Sequence, residues 1–181
     1  MQFHPTPIRD LWLIELESIR DDRGSFTRNW CSDEFARQGL STSISQCGIS
    51  FNAKAGTWRG MHYQEKPHAE EKLVRVSRGA IMDVVFDFRG ESESDGATYQ
   101  VELSDSNQRM LYIPTGCAHG FLTLVDATEV NYQMSALYYP DSAKGLRFDD
   151  PVLKIDWPMA PKVMSDRDRG FPDFELETVT R

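Results

Sequence analysis

Cysteine is scarce in this chain. Cys31, Cys47 and Cys117 are an odd three, at spacings that fit no zinc site and no disulfide framework. They read as reduced thiols of a cytoplasmic protein. Long hydrophobic runs are missing as well. No stretch of 18 apolar residues occurs, which excludes a membrane-spanning helix, and Met1-Gln2-Phe3-His4-Pro5 is not a signal peptide. Positive charge is in deficit, with 20 Lys and Arg against 28 Asp and Glu and a net charge of -8. General nucleic-acid binding wants a basic face and is excluded. A phosphorylated small molecule is not, because a local arginine cluster can sit in an acidic protein. Repeats, low-complexity tracts and linkers are absent.

What is present suits one well-buried domain spanning residues 1–181. Hydrophobic residues make up 40% and aromatic residues 11%, too many for a disordered chain. Leu11 to Ile19 alternates loosely and predicts a strand, Asp21-Asp22-Arg23-Gly24 a turn, and Phe26 to Trp30 a further strand. Ser32 offers an N-cap to one short helix with acidic residues in its first turn and Gly39 at its close. From Ile44 onward, short β-rich runs recur between turn signals. They are Ile44–Phe51, Thr57–Gln64, Lys72–Ser77, Ala80–Phe88, Thr98–Leu103, Met110–Ile113, Phe121–Leu124 and Glu129–Met134. Ala80, Met82, Val84, Phe86 and Phe88 alternate with Asp83 and Asp87, which predicts a half-buried strand with the aspartates on the other face. The expected fold class is all-β, a jelly-roll sandwich or barrel with a few short helices. The Pro- and charge-rich stretch from Asp149 to Arg181 reads as loop, packed by Trp157 and Phe171.

Two segments carry chemistry. Arg59-Gly60-Met61-His62-Tyr63-Gln64 and Ile113-Pro114-Thr115-Gly116-Cys117-Ala118-His119-Gly120-Phe121 each place one histidine in an apolar, β-prone run beside glycine. Two such histidines on neighbouring strands can meet in the mouth of a barrel, where Arg59 and Lys72 would add positive charge. That suits proton chemistry on an anionic substrate. A structural reading competes, in which His62 only fills the barrel. A metal site is not expected. The first strand gives His62-Tyr63-Gln64 rather than two alternating histidines, His68 falls in a loop and His4 near the start, so only His62 and His119 remain as interior ligands.

These segments closely resemble the dTDP-4-dehydrorhamnose 3,5-epimerase family, a branch of the cupins. The resemblance rests on Asp22-Arg23-Gly24, Arg59 to Gln64, Lys72-Leu73-Val74-Arg75-Val76, Asp83 to Arg89, Ile113 to Phe121, Tyr132, Tyr138, Asp149-Asp150-Pro151 and Ile155-Asp156-Trp157-Pro158, in the family's order. It covers nearly the whole chain. It implies a jelly-roll homodimer that epimerises a 4-keto nucleotide sugar, most simply a dTDP-linked one, without a cofactor. Inverting a carbon beside a ketone needs a base for the α-proton, a charge for the enolate oxygen and an acid on the opposite face.

His62 is the expected base, since imidazole titrates where a general base works best. The resemblance gives Asp168 as its orienting carboxylate; by sequence alone Asp166 is an alternative. Lys72 would sit over the C4 oxygen as a preorganised positive charge, unless it is a surface lysine of the charged run Glu70-Glu71-Lys72. Tyr132 matches the family's acid, against the plainer reading of a half-buried strand tyrosine. Arg59 can grip a pyrophosphate through two nitrogens. His119 matches a residue near sugar and phosphate. Arg23 resembles an arginine sent toward the nucleotide across the dimer, against a turn salt bridge to Asp21 or Asp22. Tyr138 can stack on the base, and Phe26, Arg28 and Gln46 complete the substrate-binding set. Met1 to Trp30 is the expected interface segment. Arg28, Gly48 and Glu70 depart from a usual glutamate, asparagine and glutamine, which bears on the sugar and the nucleotide. The alternatives are a single-carbon epimerase and a non-catalytic sugar-nucleotide-binding cupin.

Overall fold

The computed structural model of the chain describes residues 1–174. Its strands are β1 (Gln2–Pro5), β2 (Trp12–Glu15), β3 (Ser18–Asp21), β4 (Gly24–Thr27), β5 (Gln46–Asn52), β6 (Trp58–Gln64), β7 (Lys72–Arg78), β8 (Ala80–Asp87), β9 (Thr98–Ser104), β10 (Arg109–Ile113), β11 (Cys117–Thr123), β12 (Thr128–Met134) and β13 (Ala143–Gly145). Two short helices accompany them, α1 (Ser32–Arg37) and α2 (Asp166–Arg169). A six-stranded sheet runs β1-β2-β10-β7-β12-β5, and a five-stranded sheet runs β13-β6-β11-β8-β9. All pairings within them are antiparallel. The two sheets face each other as the expected jelly-roll sandwich. No helix among the described residues is long and apolar enough to cross a membrane.

Three apolar layers follow from strand alternation. Between the sheets lie Val74, Val76, Ile81, Val85, Leu111, Ile113, Phe121 and Val130. The outer face of the five-stranded sheet buries Trp58, Met61, Val84, Phe86 and Leu122 under the chain from Leu146 onward, which contributes Leu153 and Trp157. One end of the six-stranded sheet buries Ile14, Leu73, Met110 and Tyr112 under Phe35 of α1.

That second layer inverts the expectation for β8. Met82, Val84 and Phe86 face the covering segment, whereas Asp83 and Asp87 point between the sheets with Ile81 and Val85 and are fully buried. Both faces of β8 are covered, so the charged residues were not pushed to solvent. They lie inside because they have partners there.

Other differences are local. The expected strand Leu11–Ile19 breaks after Glu15, because β2 joins the large sheet while β3 turns away to pair with β4. This hairpin closes through Asp22 and Arg23, with Gly24 at φ +127°, a conformation that favours glycine. The strand expected at Phe26–Trp30 ends at Thr27, and β11 starts at Cys117, four residues before Phe121. The N-cap of α1 is Cys31, with no side-chain hydrogen bond, and Ser32 is already helical. β1, β13 and α2 were not foreseen. All three cysteines are free thiols.

Candidate active site

The two histidine segments become neighbouring strands, β6 and β11. His62 lies directly opposite His119, and Arg59 opposite Phe121. Between these pairs β6 spends two residues, Gly60 and Met61, against the single Gly120. This bulge lets Arg59 and His62, three residues apart, face the same way. Glycine is required on both strands. A Cβ on Gly60 would lie 2.4 Å from the Gly120 Cα, and one on Gly120 would lie 2.8 Å from the Trp58 ring.

His62 Nε2 and Asp168 Oδ1 are 2.8 Å apart. Asp168 arrives on α2, whose N-cap Ser165 accepts a hydrogen bond from the Asp168 amide. Burial opposes the Asp168 charge, but hydrogen bonds from His62, the Gly60 amide and Ser165 outweigh it and hold its pKa below the ordinary value. An ionised carboxylate only accepts, so Nε2 donates the proton of this bond and Nδ1 is the ring nitrogen not engaged by Asp168. The His62 side chain is 41% exposed while Asp168 is 6% exposed. Phe171 meets the imidazole edge to face at 6.0 Å. Asp166, the alternative partner, is exposed and pairs with Arg169 instead.

The opposite sheet presents Lys72 and Tyr132 toward the same interior, on β7 and β12. Lys72 is buried and donates to the His62 carbonyl at 3.1 Å, so it is not a surface lysine. Its Nζ also pairs with Glu70 Oε1 at 3.3 Å. Burial pulls the Lys72 pKa down, while Glu70 and Asp83 push against that. Tyr132 lies edge to face with His119, with ring centroids 6.0 Å apart. Burial, with Asp83 nearby, lifts the Tyr132 pKa well above that of a free phenol. The hydroxyl therefore keeps its proton near neutrality and is available as a donor.

His119 has a carboxylate of its own. Its Nε2 lies 2.7 Å from Asp83 Oδ1, and both side chains are buried. Burial raises the Asp83 pKa, against the pull of His119 and Lys72, and its Oδ2 has no partner. Asp83 was not foreseen here. Its alternation with apolar residues gave the signal, but was read with the faces exchanged. Asn52 was also missed; its Oδ1 accepts from Arg59 Nε at 2.7 Å. The Arg59 terminal nitrogens make no ion pair among the described residues, and the side chain reaches solvent.

The remaining expected binding residues lie further out. Gln46 Nε2 donates to the Ala136 carbonyl at 3.2 Å. Tyr138 is 53% exposed and accepts from Arg167 at 3.3 Å. Arg23 and Phe26 sit on the β3–β4 hairpin, with Arg23 bonded to Asp21 and Phe26 66% exposed. Arg28 pairs with Glu34 of α1. Within one chain these last three do not touch His62, Lys72 or Tyr132. No group of three or more His, Cys, Asp or Glu among the described residues could hold a metal ion.

A histidine with a carboxylate partner, a buried lysine and a protonated phenol thus share one interior. The family model described as dTDP-4-dehydrorhamnose 3,5-epimerase matches residues 5–175. The chain belongs to the dTDP-4-dehydrorhamnose 3,5-epimerase family. A dTDP-4-dehydrorhamnose 3,5-epimerase from Methanothermobacter thermautotrophicus is 40% identical over 182 residues, covering 98% of this chain and 97% of the relative. A crystal structure of the epimerase from Bacillus anthracis, with TDP and pyrophosphate bound, superposes with a TM-score of 0.92 at 38% identity, covering 96% and 99% of the two chains. A dTDP-4-dehydrorhamnose 3-epimerase from Streptomyces niveus is 34% identical, covering 93% of this chain and 82% of the relative. Epimerase chemistry is therefore the activity of this chain.

Proposed function

We propose that the chain inverts carbons 3 and 5 of a dTDP-linked 4-keto-6-deoxy sugar, with His62, Lys72, Tyr132 and Asp168 as its catalytic residues. His62 Nδ1 takes the proton from the carbon beside the ketone. The electron pair moves into the C4 oxygen, and the Lys72 ammonium stabilises the resulting enolate. Tyr132 then delivers a proton to the other face of that carbon, and exchange with solvent restores both residues. Asp168 fixes the His62 tautomer and favours the imidazolium once the proton is taken. The reaction is redox-neutral, so the residues suffice without a cofactor or a metal.

One observation carries this reading. His62 projects from one sheet and Tyr132 from the other, so a sugar between them meets a base on one face and an acid on the opposite one. A histidine that merely fills the barrel would not sit 41% exposed at the opening.

Arg59 supplies the pyrophosphate grip, supported by Asn52. Gln46, His119 and Tyr138 lie along the same route. Arg23, Phe26 and Arg28 serve through a homodimer, in which one protomer's first 30 residues reach its partner's site. Exposed Ile19, Phe26, Ile49 and Phe51, each more than half accessible, support such an interface. A groove across β5, β12, β7 and β10 of the six-stranded sheet, lined by Ile49, Asn131, Leu73 and Met110 with Asn29, gives it a seat. The working compartment is the cytoplasm, consistent with the free thiols.

The test is incubation with dTDP-4-keto-6-deoxyglucose in deuterated water, followed by NMR. Loss of both the C3 and C5 proton signals is expected. Loss of one alone would make the chain a single-carbon epimerase, as its Streptomyces niveus relative is named. No exchange by folded protein would leave only sugar-nucleotide binding, or a different sugar.

A further inference from the structure

Glu70 is a buried carboxylate that the reaction above does not use. Its side chain is 9% exposed, and that of Lys72 is 10% exposed. Oε1 lies 3.3 Å from Lys72 Nζ, and Oε2 accepts from Gln64 Nε2 at 3.1 Å. Both carboxylate oxygens are thus engaged, one by the lysine and one by the amide. Gln64 is itself anchored. Its Nε2 also lies within hydrogen-bond reach of the His68 and Leu137 carbonyls, so two protons are shared among three acceptors, and its Oε1 accepts from the Tyr139 amide at 2.6 Å. Three segments therefore hold one carboxylate against one ammonium.

We propose that Glu70 is a positioning residue for the epimerisation, fixing Lys72 as an ammonium ion aimed into the barrel. A lysine in this interior is drawn toward its neutral form by desolvation, and a neutral amine cannot stabilise an enolate by charge. The other titratable groups facing Lys72 do not replace Glu70. Asp83 on β8 is shared with His119 and pushed toward its neutral form by burial. Cys117 on β11 is a thiol whose pKa burial lifts to about 12. Tyr132 on β12 is protonated. Glu70 lies two residues before Lys72 and bonds neither the His62 ring nor Tyr132, so it acts through the lysine. The inference rests on the proposed reaction only for its effect on turnover.

The experiment is direct titration of Lys72 Nζ by NMR of protein labelled with 15N-lysine, its signal assigned by its loss in Lys72→Arg. In Glu70→Gln the midpoint should fall by about one pH unit, the scale of one opposite charge within bonding reach. Glu70→Asp keeps the charge one methylene shorter and should give a smaller fall. An unchanged midpoint in Glu70→Gln would overturn the proposal. Turnover supplies the second readout. The alkaline limb of kcat should move to lower pH in Glu70→Gln, while KM changes little. A uniformly scaled profile with an unmoved limb would mean a structural role only, and would also overturn it. The NMR titration needs no substrate. A shifted midpoint in a protein that exchanges no protons of that sugar would reject the proposed 3,5-epimerisation of it and leave the Glu70–Lys72 pairing intact.

Discussion

His62 and His119 stand opposite each other on neighbouring strands, and each bonds a carboxylate through Nε2. The bonds are nearly equal, 2.8 and 2.7 Å. Their surroundings are not. Asp168 collects several donors and stays ionised, and its imidazole opens toward solvent. Asp83 has one oxygen without a partner, a raised pKa, and an imidazole that is 4% exposed. A histidine–carboxylate bond is therefore no signature of a base by itself. The number of donors on the carboxylate and the access of a substrate to the far ring nitrogen separate the two pairs.

The sharpest way to break this comparison is substitution of each ring. His62→Asn should lower kcat by about 10³-fold, within the range for loss of a general base, with the fold intact by circular dichroism. His119→Asn should cost at least about tenfold less, and weigh more on KM. Equal losses in deuterium-exchange assays would erase the distinction. Lys72→Met should lower kcat by about 10²-fold, the scale of one lost electrostatic donor. Asp168→Asn should cost about as much, by leaving His62 in the wrong tautomer. Arg59→Ala should raise KM about tenfold with kcat little changed, as loss of uniform binding requires. If kcat alone fell, Arg59 would not be the phosphate grip.

The smallest effect sharpens the comparison through stability. The folded Asp168 pKa lies below its ordinary value of 3.8. Its contribution is therefore full above 3.8 and disappears as pH falls through the depressed folded value. Asp83 has the opposite sign. Its folded pKa is raised, so its contribution is present below 3.8 and lost as pH rises through the raised value. Urea midpoints measured against pH should thus show the deficit of Asp168→Asn, relative to wild type, growing as pH climbs. Any deficit of Asp83→Asn should shrink over its own window. Parallel curves for the two variants would refute the assigned shifts.

Much of this was legible in the chain. The short β-rich runs and the turn signals between them announced the sandwich. His62 and His119 stood out because each is set in an apolar, β-prone run beside glycine. What stayed hidden depends on distant segments. Asp83 was assigned to the wrong face because nothing in β8 says that residues from Leu146 onward will cover its far side. Asp168 could not be separated from Asp166 without the helical turn that points one inward and the other out. Glu70 was noted as a departure from the resemblance, but its bond to Lys72 required Gln64 to be brought alongside. Arg23 and Phe26 remained ambiguous because their hairpin leaves the sandwich altogether.

The carboxylate of the His62 pair lies 106 residues downstream of its histidine. At ribosomal speeds of about 5 to 20 residues per second, roughly 5 to 20 seconds separate the synthesis of the two. A nascent chain can complete the strands that carry His62, Lys72 and Tyr132 before Asp168 has been polymerised. The order of synthesis therefore works as a timer. On the proposed mechanism, the imidazole gains its orienting partner only when the covering segment closes over the outer face, so proton abstraction would have to wait for that closure.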